Sequence, residues 1–200
     1  EVRSLIAYLR SKQQVPLQAT TENASSFFNG TDLTGWAGES ELWSVDDGEL
    51  VGRTDGLERN EWIVSDLSVS DFRLTMEVKL IDNAGNSGIQ FRSTANEGEV
   101  SGYQADVGKG WWGKLYEEHG RKLLWDQSGE AHINPGQWNK YEIVAIGDHI
   151  RTFINDQPCV DLVDPDGAKS GIIAFQLHSG GKTEVRYRNL KLEVLPQKTK

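Results

Sequence analysis

Two hundred residues with a formal charge of −9, 26% charged and 37% hydrophobic, fit one all-β domain with an appendage or at most two small domains. The acidic balance, with no run of Lys or Arg, argues against a nucleic-acid or anionic-membrane partner, because such binding draws on basic side chains that displace counterions. One cysteine, Cys159, leaves no internal disulfide, and no run of eighteen apolar residues offers a membrane span.

The chain opens on its one convincing helical pattern. Val2, Leu5, Ile6 and Leu9 fall at helix spacing with Arg3, Arg10 and Lys12 opposite, which predicts a helix over residues 1 to 12. Pro16 and the polar run Gln18 to Ser26 end it. Residues 1–18 are read as the tail of a preceding domain and 19–26 as a linker. The start on Glu1, without a methionine, fits a fragment of a longer protein.

From Phe27 to Leu195 strand follows strand, and 196–200 is a tail. Turn pairs such as Asn29-Gly30, Asp47-Gly48 and Asp166-Gly167 punctuate the chain at the spacing of a sandwich or barrel. Phe72 to Leu80 alternates apolar with polar throughout and is the cleanest half-buried strand. In Gly88 to Arg92, Ile89 and Phe91 face inward, with Gln90 and Arg92 opposite. Gly102 to Arg121 reads as two strands joined by Lys109-Gly-Trp-Trp-Gly113, with Gln104 and Asp106 on one face of the first and Tyr116 and Glu118 on one face of the second. Tyr141 to Ile146, Ile150 to Ile154 and Cys159 to Val163 form a meander, in which Phe153 is expected inside. Gly171 to His178 and Glu184 to Leu195 close the domain. The pattern predicts a two-sheet antiparallel jelly-roll sandwich.

Two stretches of wording carry resemblances. LIAYLRSKQQVPL resembles the closing helix of a bacterial class I cytochrome c domain over about a dozen residues; without a Cys-x-x-Cys-His motif, no haem is expected here. FFNGTDLTGW, WSVDDGELVG, GNSGIQFRS, GYQADVG, KLYEE, PGQWNKYEIVAIGDHIRTFINDQ and FQLHSG followed by VRYRNLKLEVL resemble, in order and spacing, the bacterial 3-keto-disaccharide hydrolase domain. That resemblance implies a concanavalin A-like sandwich and a glycoside or oligosaccharide, oxidised at the sugar's C3, as partner. It also implies a covalently linked upstream domain and a periplasmic or extracellular location.

The resemblance gives the polar alternates a role. Gln90 with Arg92, Gln104 with Asp106, Tyr116 with Glu118 and Gln176 with His178 would line one concave surface if their strands are neighbours. Trp111 and Trp112 would stand at its rim against a sugar ring. A 3-keto sugar has an acidified C2 hydrogen, so cleavage needs a base, an enolate stabiliser and an acid. Asp106 or His178 is the expected base, and Glu118 the other cleft carboxylate. Arg92, or a divalent metal on Asp106, Glu118 and His178, is the expected stabiliser, although no ligand spacing marks a metal site. Gln90, Gln104, Gln176 and Tyr116 would bind the sugar. Two other expectations stand beside this one: a carbohydrate-binding module of a larger exported protein, and a purely structural adhesion domain, which would scatter the polar pairs over both faces.

Overall fold

The computed structural model describes residues 15–196. The predicted helix over 1–12 lies outside those residues, as does all of its cytochrome-like wording but Val15, Pro16 and Leu17. Strands β1 (Leu17–Gln18), β2 (Trp36–Ala37), β3 (Trp43–Asp46), β4 (Glu49–Thr54) and β5 (Glu61–Val69) lead into β6 (Phe72–Leu80), β7 (Asn86–Asn96) and β8 (Glu99–Gly108). Then come β9 (Leu115–Glu118), β10 (Lys122–Trp125), β11 (Asn139–Ile146), β12 (His149–Ile154), β13 (Gln157–Val163), β14 (Gly171–Leu177) and β15 (Thr183–Val194). One helical turn, α1 (Thr21–Ala24), and two 3-10 turns complete the described chain.

The strands form two sheets, as the alternation predicts. One runs β1-β5-β14-β7-β8-β9-β10, with β2 also on β5; the other runs β13-β12-β11-β6-β15-β4-β3. Turn chemistry fixes the hairpins. Asp47 and Gly48 sit at φ 50° and 78°, and Asn155 and Asp156 at 49° and 65°, the paired positive values of a two-residue turn that matches strand twist.

Between the sheets lies the main core. Leu74, Met76 and Val78 of β6 face Ile89 and Phe91 of β7 and Ala105 and Val107 of β8, all at most 2% exposed. Phe91 stacks on Tyr103 at 5.4 Å and meets Phe72 edge-on at 6.0 Å. The outer face of the seven-stranded sheet is charged and paired, with Arg53 on Glu184 and Arg188 on Glu77 at 2.9 Å each.

Two expectations need correcting. The last two residues of the presumed tail and the presumed linker are seated on the sandwich: β1 pairs with β5 in parallel, Thr20 caps α1 through a reciprocal bond with Asn23, and Ala19 and Ala24 are each 4% exposed in the core. The sandwich therefore begins near Leu17 instead of Phe27. Phe153, expected inside, is only half-buried, while Ile150, Thr152 and Ile154 point inward. β12 keeps its period of two without a break, so Phe153, between the inward Thr152 and Ile154, belongs to the outer set; the bulge opposite it adds its residue to β13.

Both ends of the described chain close on one corner. The Ala19 N–H donates to Ser68 O at 2.7 Å and the Leu195 N–H to Asp71 O at 2.9 Å, on either side of the β5–β6 turn.

Candidate functional site

The outer face of the eight-stranded sheet carries the polar alternates, and their strands are neighbours. Register places Trp62 on β5 across from Gln176 on β14, Gln176 across from Gly88 on β7, and Gly88 across from Asp106 on β8. Lys114 follows, its carbonyl accepting from the Asp106 N–H at 3.1 Å. The next row runs Val64, Ala174, Gln90, Gln104, Tyr116 and Leu123. Gln90, Gln104, Tyr116, Gln176, Asp106 and Glu118 thus share one face, as a strand's period of two requires.

A chain of hydrogen bonds runs along this face and stops at Asp106. The Ser93 hydroxyl donates to Gln90 Oε1 at 2.7 Å, Gln90 Nε2 to Gln104 Oε1 at 3.0 Å, and Gln104 Nε2 to Asp106 Oδ1 at 2.8 Å. All four residues are at most 3% exposed. Each amide is oriented by the one before it, so the carboxylate is held as the terminal acceptor. Its other oxygen, Oδ2, is buried without a partner.

Burial is the main force on the Asp106 carboxyl and pushes its pKa up to about 7, against the Gln104 hydrogen bond; the Glu118 charge adds to the rise and Lys114 opposes it. The group therefore changes charge near neutral pH, where a proton-transfer catalyst works best. Glu118 is also raised, first by burial, while His119 and His178 favour its charged form and the Gln176 amide approaches it weakly.

Beyond Asp106 the face turns aromatic. Trp111 is 40% exposed and meets Tyr116 edge-on at 6.4 Å. Lys114 Nζ sits 5.2 Å from the Trp111 ring and bonds Asp126 at 2.7 Å.

Three predicted site residues lie elsewhere or act differently. Arg92 is 1% exposed and faces the sheet corner, donating to Ser70 O at 2.8 Å, Gly147 O at 2.7 Å and Asp71 Oδ1 at 3.1 Å. A bulge between Phe91 and Thr94, with Arg92 at φ 48°, breaks the alternation and turns the side chain away. Trp112 is a core residue, 1% exposed, whose Nε1 donates to Asn83 Oδ1 at 2.9 Å. His178 lies one residue beyond β14, exposed, with Nδ1 2.7 Å from Ser179 O; it acts on Glu118 and does not bond Asp106. The weighed metal set does not form: among the described residues no group of three or more His, Cys, Asp or Glu side chains is placed to hold an ion.

Gly88, Trp62, Ser93 and Lys114 were not among the predicted site residues. Alternation with Tyr116 and Glu118 already puts Lys114 on this face, whereas Trp62 and Gly88 join Asp106 only through the pairing of β5, β14, β7 and β8, and Ser93 turns to it through the bulge in β7. On the inner side of β8, Tyr103 donates to Asp164, which also takes Arg121 at 2.6 and 2.9 Å, and Arg121 grips Glu117 at 2.7 Å. Two surface hollows, one lined by Thr21, Leu190 and Val194 and the other by Gln18, Asp71 and Leu195, lie away from the Asp106 row.

Solved structures share this architecture. A carbohydrate-binding module of Bacillus subtilis, CBM66, superposes with a TM-score of 0.62 at 20% identity, covering 80% of this chain and 95% of that one. A candidate glycosyl hydrolase of Parabacteroides distasonis gives 0.65 at 20% identity, over 89% of this chain and 99% of that one. A Bacillus subtilis protein with a galectin-like fold gives 0.64 at 13% identity, over 83% of this chain and 92% of that one. No curated protein matches the chain. The match that spans the sandwich is to a family, over residues 23–193, and it bears out the resemblance read from the blocks between Phe27 and Leu195: the chain belongs to the 3-keto-alpha-glucoside-1,2-lyase-like domain family.

Proposed function

We propose that this domain cleaves 3-keto-α-glucosides by elimination, with Asp106 as the base. The observation that carries the reading is the buried Asp106 carboxyl, held by Gln104 through one oxygen, free at the other and poised at about 7. Asp106 Oδ2 takes the C2 proton, and the C–H electron pair enters the C3 carbonyl as an enolate. Collapse of the enolate restores the ketone, forms the C1–C2 double bond and breaks the bond from C1 to the glycosidic oxygen. Glu118, which burial keeps toward its acid form, gives that oxygen a proton. The products are the free aglycone and an unsaturated 3-keto sugar. Water then adds across the double bond: its OH goes to C1, its proton to the Glu118 carboxylate, and Asp106 returns its proton to C2, so both carboxyls regain their starting states and the sum is a hydrolysis.

A second reading, a glycan-binding module, is favoured by the exposed Trp111 beside Tyr116, an aromatic corner suited to the apolar face of a sugar. One experiment separates the two: incubation with an aryl 3-keto-α-glucoside and, in parallel, its unoxidised parent. Aglycone release from the keto compound alone is the expected result. Release from neither, with saturable binding of the unoxidised sugar, would select the binding module.

A further inference from the structure

The row that carries Asp106 continues past Gly88 to two polar groups that the fold leaves unsatisfied. Gln176 on β14 is fully buried, and neither Oε1 nor Nε2 has a hydrogen-bond partner. Trp62, directly across on β5, is 5% exposed, and its Nε1 donates to nothing. Glu118 approaches the Gln176 amide without closing a hydrogen bond. A sheet that needed only packing here would carry methionine, which has nearly the shape of glutamine and no polar atoms to desolvate. Buried polar groups left open in a native protein call for a reason, and an absent ligand is one.

Geometry says which part of the sugar they would meet. β7 alone separates β8 from β14, so the Asp106 and Gln176 backbones stand two strand spacings apart, about 10 Å. Both side chains project to the same side. A proton-transfer contact of about 3 Å at C2, the short C2–C3–O fragment, and a hydrogen bond of about 3 Å to the C3 oxygen together bridge that interval. Neutral N–H donors suit an atom that begins as a carbonyl oxygen and gains negative charge, because they strengthen as the charge develops. Arg92, whose charge would have served, is committed to Ser70, Gly147 and Asp71.

We propose that Gln176, with Trp62 beside it, donates to the C3 oxygen of the substrate and stabilises the enolate. The assignment rests on the elimination reading and names the part of the substrate that this end of the row recognises: a ketone at C3, in place of the hydroxyl of an unoxidised glucoside.

Gln176→Met removes both polar atoms at nearly constant volume, and Trp62→Phe removes the indole N–H. On an aryl 3-keto-α-glucoside, Gln176→Met is expected to lower kcat by roughly 10²–10³-fold, with a smaller loss for Trp62→Phe. Exchange of the C2 proton with D2O should fall in the same proportion, since enolate formation is the step served. The Tm of Gln176→Met should hold or rise, because an unpaired buried amide has been removed. Unchanged turnover in Gln176→Met overturns the assignment, as does a fall in Tm alongside the lost activity, which would make the amide structural. A wild-type protein that leaves the keto substrate intact refutes the elimination reading as well; an active wild type with an equally active Gln176→Met refutes this assignment alone.

Discussion

Gly88 and Gln104 occupy a single space. A Cβ on Gly88 would stand 2.6 Å from Gln104 Cγ and 2.8 Å from its Nε2, so the Gln104 side chain lies across the bare backbone and from there reaches Asp106 Oδ1 at 2.8 Å. Gly88 has no positive φ; the requirement is room, not backbone freedom. Gly88→Ala should push Gln104 aside and break its hydrogen bond to Asp106. Since that bond lowers the Asp106 pKa, losing it raises the value, and the acidic limb of kcat/KM against pH should move upward. Overpacking should also cost about 1–3 kcal/mol in stability. An unshifted limb would show that Gln104 does not tune the carboxyl.

Asp106→Asn should separate function from stability. Turnover should fall by roughly 10²–10⁴-fold as the base is lost. The folded-state pKa of about 7 lies above the unfolded value of about 3.9, so the folded form keeps a proton that the unfolded form releases. The contribution to stability is full below about pH 4 and is lost as pH rises toward 7. The asparagine variant lacks this loss. Urea unfolding at pH 8 should find it more stable than the wild type, by about 2–4 kcal/mol, with the gain shrinking toward pH 4. A variant weaker than wild type at pH 8 would mean that the ionised carboxylate is satisfied in the fold.

The two adjacent tryptophans should respond oppositely. Trp111→Ala removes an exposed ring from the edge of the face and should raise KM, leaving stability within about 0.5 kcal/mol. Trp112→Ala empties a core site and should cost about 3–5 kcal/mol. Thermal melts beside Michaelis kinetics check both, and equal melting losses would contradict the assignment of Trp111 to the surface.

Arg92→Met tests the displaced arginine. It should destabilise by about 3–5 kcal/mol, because Asp71 loses its buried partner and two backbone carbonyls lose their donor. Turnover per folded molecule should be unchanged. A large fall in turnover of a well-folded variant would return Arg92 to the site.

Asp164 anchors the inner network of Tyr103, Arg121 and Glu117. The Arg121 hydrogen bonds, above all, hold its pKa down at about 2, so its contribution is present above about pH 4 and lost as pH falls through 2. Asp164→Asn should cost about 1–3 kcal/mol at pH 7, and the gap to wild type should close in acid. A gap that stays constant down to pH 2 would argue against this linkage.

Alternation made much of the face legible. Gln90, Gln104, Asp106, Tyr116, Glu118 and Gln176 share a side because each strand keeps its period of two, and the family blocks brought those strands into one domain. Arg92 was misplaced because a bulge adds one residue to β7 and inverts the parity from that point, and nothing in Phe-Arg-Ser announces it. Trp112 sits in a loop, where no period applies. Trp62 and Gly88 join Asp106 only through the order β5-β14-β7-β8, a set of long-range pairings that a strand read by itself does not encode. Residues 19–26 read as a linker by their polarity and residues 1–18 as a preceding tail, yet the pairing of Leu17 and Gln18 with β5 and the burial of Ala19 and Ala24 seat this stretch on the sandwich.

Ala19 and Leu195 are held on the two sides of one turn, at Ser68 and Asp71, while the row of Trp62 and Asp106 crosses β5 six residues before Ser68, about 20 Å along the strand. The domain is thus a pendant: chain enters and leaves through one doorway, at the end opposite the Asp106 row. A host protein accepting it into a surface loop would need to open only the narrow gap between those two residues, and the guest would present its Asp106 face unobstructed. Joining the same two residues with a short glycine-rich bridge and reopening the chain at the Asp47-Gly48 turn would give a circular permutant in which the site keeps its geometry.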